Sequence, residues 1–285
     1  MKYIGRFAPS PSGEMHLGSI YSALISYLDA KKNNGLWKVR IDDIDSDRSK
    51  EVFTQLILKV LNSFGLEPDE VNYQTNHLDA YESYLKDLLK NRHYFCECSR
   101  ERIKKLPQGI DGYIYDQKCK NKKLGFGSIR IETTSQDIKF TDGHFGEVKI
   151  NLQKEINDFV IHGHKNYVYQ FCCVIDDYIT DINNVVRGSD LLYSSPKQIY
   201  LQNLLGLPKV NYFHHPVIYK NNKKISKSEH ASPVNQDNKN QILLMCLHLA
   251  GQEADETEKN YHQILKQAIN NWDRNKLPKT SMIEI

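Results

Sequence analysis

Pro9-Ser-Pro-Ser-Gly-Glu-Met-His-Leu-Gly-Ser19 separates the first strand-like run of the chain from its first helix-like run. It follows a short strand-like run with Tyr3, Ile4 and Phe7, and it opens onto apolar-periodic residues from Ile20 to Ala30. Its prolines, serines and glycines cannot continue a strand, so a tight loop is expected here. Where such a loop meets a helix, unpaired N–H groups and the helix dipole suit an anion. His16 can hydrogen-bond a phosphate, and Gly18 lets a ligand approach the backbone closely. Taken alone, the stretch would pass for an ordinary strand-to-helix turn. The rest of the chain makes it a nucleotide-site candidate.

Outward from the loop, Ile20 to Asn33 reads as a helix, with Ile20, Leu24, Ile25 and Leu28 on one face and Gly35 as its stop. Trp37 to Ile41 alternates like a strand and runs into Asp42-Asp-Ile-Asp45. Strand, helix and strand in this order make a βαβ unit and a parallel sheet. The carboxylates then fall at a strand's C-terminal end, where ligands of such sheets bind. Glu51–Phe64 and Leu78–Asn91 are core-packing helices. Short strands are expected at 128–132, 145–150 and 158–162, with Thr141-Asp-Gly143 as a turn. Tyr167 to Cys173 is an apolar run leading to the acid pair Asp176-Asp177, and Arg187 and Asp190 fall at the next strand end. A helix over 196–205, a strand over 216–219, the basic loop Lys223-Lys-Ile-Ser-Lys-Ser228 and helices over 241–249 and 261–272 complete the chain.

With 285 residues, 40% of them hydrophobic and 26% charged, the chain can bury a substantial core. It has no run of about 18 apolar residues and no signal-peptide pattern, so a cytoplasmic, membrane-free protein is expected. Six cysteines at 96, 98, 119, 172, 173 and 246 make a poor disulfide framework. Cys96, Cys98 and Cys119 instead suggest a structural zinc site needing a fourth ligand, with His93, Tyr113 and Tyr115 as candidates. Cys172, Cys173 and Cys246 read as buried core thiols. Net charge is only +3, but residues 100–123 hold eight Lys/Arg against three acids, and 220–229 hold four lysines against one. Such patches suit a phosphate backbone.

A His-x-Gly loop near the start and a Lys-Ile-Ser-Lys-Ser loop some 200 residues later resemble the two nucleotide-binding motifs of class I aminoacyl-tRNA synthetases. Gly5-Arg-Phe-Ala-Pro-Ser-Pro-Ser-Gly13, Arg40-Ile-Asp-Asp-Ile-Asp45, Val174-Ile-Asp-Asp177 and Val186-Arg-Gly-Ser-Asp190 narrow the likeness to the glutamyl branch. The resemblance runs from Tyr3 to about Ala231. Only 57 residues follow Ser228, too few for an anticodon-binding domain. With Cys-x-Cys and Tyr-x-x-x-Cys, this resembles the glutamyl-Q tRNA(Asp) synthetase family.

The resemblance implies tRNA-independent activation of L-glutamate with ATP and Mg²⁺, then transfer to the queuosine base at the wobble position of tRNA(Asp). It implies that Arg6, Phe7, Ala8, Pro9, Ser10, Asp42, Tyr169 and Arg187 hold glutamate. His16, Gly18, Lys224 and Lys227 would hold ATP, with His16 and Lys227 catalytic. Cys96, Cys98, Tyr115 and Cys119 would bind one structural Zn²⁺, Tyr115 being chosen because it stands four before the last cysteine. The family usually has Glu where this chain has Asp42, one methylene shorter. The implied fold is α/β: a Rossmann-type parallel sheet in two halves, 1–92 and 167–210. An inserted zinc-containing, acceptor-binding-like subdomain spans 93–166, and the Lys-Ile-Ser-Lys-Ser loop with a short helical region spans 211–285. A monomer is expected. The rival readings are a truncated glutamyl-tRNA synthetase charging the 3′ end of tRNA(Glu) and a silent RNA-binding relative.

Overall fold

The computed structural model describes residues 2–225, 236–258 and 260–285. Numbering the longer elements in chain order, β1 (Ile4–Phe7) leads through the opening loop into α1 (Leu17–Lys32). Then follow β2 (Leu36–Ile41), α2 (Glu51–Ser63), β3 (Glu70–Tyr73) and α3 (Leu78–Leu88). Next come β4 (His93–Cys96), β5 (Ser128–Ile131), β6 (Asp137–Asp142), β7 (Gly146–Asn151) and β8 (Phe159–His162). The chain continues with α4 (Tyr169–Ile179), β9 (Asn184–Gly188), α5 (Ser195–Leu205), β10 (Asn211–His215) and β11 (Val217–Lys220). It closes with α6 (Lys239–Leu249), α7 (Tyr261–Asn271) and β12 (Met282–Glu284).

The main sheet runs β3-β2-β1-β9-β10-β6-β7. Every neighbouring pair is parallel except β6–β7, a hairpin through the Asp142-Gly143 turn. The order reverses between β1 and β9, and at such a switch point the strand ends open a crevice. Strands β6 and β7 fall within residues 93–166 yet extend this sheet, and β10 does so from beyond residue 210. They join because Tyr212 of β10 pairs with Asp142 and carries the sheet outward. Within the insert, β8, β5 and β4 form a separate antiparallel sheet.

Helix α1 is apolar nearly all round, since it lies between the sheet and the C-terminal helices. Ile20, Leu24, Ile25 and Leu28 are fully buried with Trp37, Val39, Leu61, Leu243 and Leu265. A second core packs α3, α4 and α5 against the insert, through Tyr81, Phe171, Ile175, Ile161 and Leu201. Asp29, buried in α1, ties the C-terminal segment down by accepting from Tyr3, the Trp272 indole and Arg274. Among the described residues no helix is long and apolar enough to cross a membrane.

The run 167–177 departs from its appearance in sequence. From Tyr169 onward it forms helix α4, and Asp176 and Asp177 are buried in its last turns rather than following the apolar run as a separate end. An apolar run broken only by Gln170 carries no period that separates strand from helix.

Candidate active site

The opening loop is pinned from both sides. The Asp42 N–H donates to the Pro9 carbonyl (3.0 Å) and the Lys50 N–H to that of Pro11 (3.0 Å). His16 is the N-cap of α1, its Nδ1 accepting from the Ser19 N–H at 3.3 Å. A methyl group on Gly18 would meet the Ile225 carbonyl oxygen at 3.2 Å and the His16 ring at 3.3 Å. The two distant loops therefore touch at Gly18. Lys227 lies outside the described residues. Lys224 is described, and its ammonium pairs with Asp190.

A cleft of about 630 Å³ opens where these loops meet the strand ends. Arg6, Phe7, Ala8, Pro9 and Ser10 line it together with His16, Gly18, Tyr169, Arg187 and Lys224. Its size and its few convergent polar groups are those of a small-ligand site. Asp42 borders a second, larger groove of about 1040 Å³, and Ser10, Arg48 and Tyr169 line both.

Beneath the cleft lies a buried ionic cluster that motif spacing alone does not disclose. Arg6 Nε donates to Asp177 Oδ1 (3.1 Å) and Arg40 Nη1 to the same oxygen (2.7 Å). Arg40 Nε also reaches Asp42 Oδ1 at 2.6 Å and its Nη2 reaches Oδ2 at 3.4 Å. Burial pushes the Asp42 carboxyl up to about 6, against the pull of Arg40 and Arg6. Asp177, with two guanidiniums against it, is held below the usual carboxylate range despite its burial. Asp176 accepts from Gln74, His77 and Tyr81, and its Oδ2 lies 3.6 Å from Arg40 Nε, so it borders the same cluster. Tyr169, Cys173 and Asp177 stand four residues apart, so a single face of α4 supplies all three.

Arg187, only 5% exposed, is fixed on several sides. Its Nε donates to His214 Nε2 (3.0 Å), its Nη2 to Ser195 Oγ (2.9 Å) and the Leu191 carbonyl (3.3 Å), and its Nη1 to Tyr169 Oη (3.3 Å). Among these partners only Tyr169 was named from the sequence, through the resemblance. His214 comes from the neighbouring strand β10, Leu191 from the short helical turn Ser189–Ser194 after β9, and Ser195 from the start of α5.

In the insert, the Sγ atoms of Cys96, Cys98 and Cys119 lie within 4.8 Å of one another. Tyr115, 1% exposed, turns its Oη to 3.3 Å from Cys96 Sγ and 3.6 Å from Cys98 Sγ. Ligands about 2.3 Å from a tetrahedral zinc would be about 3.8 Å apart, so the donor set fits that ion. Of the other candidates, His93 bonds the Asn91 carbonyl and Tyr113 lines the large groove. Burial disfavours ionising Cys96, but hydrogen bonds from Tyr115 and Arg130 outweigh it and bring the thiol down to about 7. The Arg130 guanidinium also sits 3.6 Å over the Tyr115 ring, joining the cluster to the groove that Arg130 lines.

The groove runs from this cluster to the cleft, past Arg100, Lys104, Lys165 and the exposed rings of Tyr113 and Tyr169. Cations and exposed rings along a channel are the elements that hold a nucleic-acid strand and stack its bases.

The family model for the tRNA synthetases class I (E and Q), catalytic domain, matches residues 3–277. A glutamyl-Q tRNA(Asp) synthetase of Vibrio parahaemolyticus is 37% identical over 290 residues, covering 100% of this chain and 96% of the relative. One from Pseudomonas fluorescens is 38% identical, covering 98% and 94%, and one from Neisseria meningitidis is 37% identical, covering 97% and 98%. Among solved structures, a glutamate tRNA ligase from Elizabethkingia meningosepticum in complex with its amino acid superposes with a TM-score of 0.81. A glutamate-tRNA synthetase from Elizabethkingia anophelis gives 0.82. Both are 22% identical to this chain, which covers 66% and 67% of their lengths, and that likeness speaks to the fold alone.

Proposed function

Since this chain belongs to the glutamyl-Q tRNA(Asp) synthetases, within the class I (E and Q) synthetase catalytic-domain family, we propose that it activates glutamate with ATP and passes the glutamyl group to the queuosine base of tRNA(Asp). A carboxylate oxygen of glutamate attacks the α-phosphorus of ATP, and pyrophosphate leaves. A hydroxyl of the queuosine cyclopentene ring then attacks the adenylate carbonyl, losing its proton as AMP departs. The first step joins two anions, so it needs cations and preorganised donors around the reacting atoms.

The observation that carries this reading is the convergence of two buried arginines, Arg6 and Arg187, in the same cleft as His16, Gly18 and Lys224. A guanidinium pairs a carboxylate in bidentate fashion, and Arg187 with Tyr169 suits the glutamate side chain. Arg6 and the loop through Ser10 face the amino-acid end, and Asp42 supplies an anion near the α-ammonium. His16 and the start of α1 take phosphates, with Lys224 and Lys227 as the cations of the second loop. Mg²⁺ accompanies ATP mainly through phosphate oxygens. The large groove joins the cleft through Ser10, Arg48 and Tyr169, which gives an anticodon-loop nucleoside a path to the adenylate.

Cys96, Cys98 and Cys119 with Tyr115 would hold a structural zinc. The ion would cross-link the loop ends that frame the groove.

Glutamate-dependent ATP–pyrophosphate exchange without tRNA tests the first step. Exchange with glutamate but not with aspartate or glutamine is expected. No exchange in the presence of active ATP binding would favour a silent binding module.

A further inference from the structure

The turn Asp142-Gly143 and the histidine His214 have no place in the scheme above, yet they stand directly behind Arg187. The sheet register puts them there: Arg187 of β9 pairs with His214 of β10, and Asp142 at the end of β6 pairs beside Tyr212. His214 is fully buried and Asp142 is 2% exposed. Asp142 Oδ1 accepts from the backbone N–H groups of His144 (2.9 Å) and Phe145 (3.0 Å), and Oδ2 lies 2.6 Å from His214 Nδ1.

Proton positions follow from the partners. A guanidinium only donates, so His214 Nε2, at 3.0 Å from Arg187 Nε, has to be an acceptor. The single proton of a neutral imidazole then sits on Nδ1 and is donated to Asp142. Burial agrees, pushing His214 down to about 4 and so keeping the ring uncharged. With Nε on His214 and Nη2 on Ser195 and Leu191, the Nη1 edge beside Tyr169 is the one left toward the cleft.

We propose that Asp142 and His214 are positioning residues, which hold Arg187 so that its Nη1 edge and Tyr169 read the side-chain carboxylate of glutamate. This rests on the assignment of Arg187 to glutamate. The chain of bonds makes Asp142 control a tautomer rather than a charge contact. In Asp142→Asn the two backbone N–H groups still require an oxygen at the Oδ1 position, so the new NH₂ faces His214 Nδ1. That turns Nδ1 into an acceptor, moves the ring proton to Nε2 and points it at the Arg187 Nε–H.

Pyrophosphate exchange with Asp142→Asn tests this. The glutamate KM should rise about tenfold or more while the ATP KM stays within about twofold, and selectivity for glutamate over glutamine should narrow. His214→Gln, which can offer a carbonyl oxygen to Arg187 Nε, should stay closer to the parent enzyme than His214→Leu, and this pair decides if Asp142→Asn does not fold. Unchanged kinetics, or equal rises in both KM values with a lowered Tm, would overturn the positioning role. Arg187→Ala separates the two levels. A raised glutamate KM there with normal Asp142→Asn kinetics refutes only the positioning, whereas no change there refutes the assignment of Arg187.

Discussion

Asp42 meets opposing demands at the residue scale. Its carboxylate is one methylene shorter than the Glu that the resemblance leads one to expect, it is 8% exposed, and Arg40 takes both its oxygens. Asp42→Glu would extend the carboxylate past Arg40 toward the cleft, so the glutamate KM should hold or fall. A large loss of kcat/KM would show that the local backbone has adapted to Asp. Burial sets a pH dependence as well. With the Asp42 carboxyl pushed up to about 6, it is ionised at neutral pH and becomes protonated as the pH falls through that value. Protonation removes the anion offered to the ammonium, so the glutamate KM should climb below pH 6 and be flat above about pH 7. Asp42→Asn should show a raised KM that no longer varies over that interval, and a flat parent profile would contradict the role. Arg6 and Arg187 could be singled out because each lies in a contiguous motif, whereas Tyr169 came from the resemblance alone. Arg40 as a shared donor, Asp177 as its acceptor and the Asp142–His214 pair were not, because each partnership joins segments roughly 70 to 170 residues apart.

At the scale of elements, α4 shows where local pattern fails. Tyr169, Cys173 and Asp177 line up only once the run is known to be a helix, and its apolar composition conceals the period. The opening loop was easier to read, since Pro, Gly and Ser break a strand whatever surrounds them. The insert divides in the same way. Cys-x-Cys and a later Cys pointed to a metal and left His93, Tyr113 and Tyr115 open; the resemblance named Tyr115, and in the fold it is Tyr115 that faces the thiols. Protein purified without chelator should carry about one zinc per chain. Cys119→Ser should lower both the zinc content and the Tm, because the ion would stand in for a core in a segment whose own apolar cluster is small. Absence of zinc from the parent protein by metal analysis would refute the site.

The whole molecule places two openings side by side. The smaller gathers Arg6, Arg187, the opening loop and Lys224; the larger carries lysines, arginines and rings from the insert, and Ser10, Arg48 and Tyr169 belong to both. The doubly wound sheet was readable from the first βαβ unit. Its extension by β6, β7 and β10 was not, because short strands carry no mark of the sheet they will join. In the proposed function this arrangement would present the adenylate to a nucleoside entering along the groove, and the choice of acceptor decides between the readings. The direct measurement is transfer of labelled glutamate to tRNA(Asp) with and without queuosine, beside tRNA(Glu). The account predicts label only on queuosine-containing tRNA(Asp), removed with the modified base. Label on the 3′ end of tRNA(Glu), or on tRNA lacking queuosine, would contradict it.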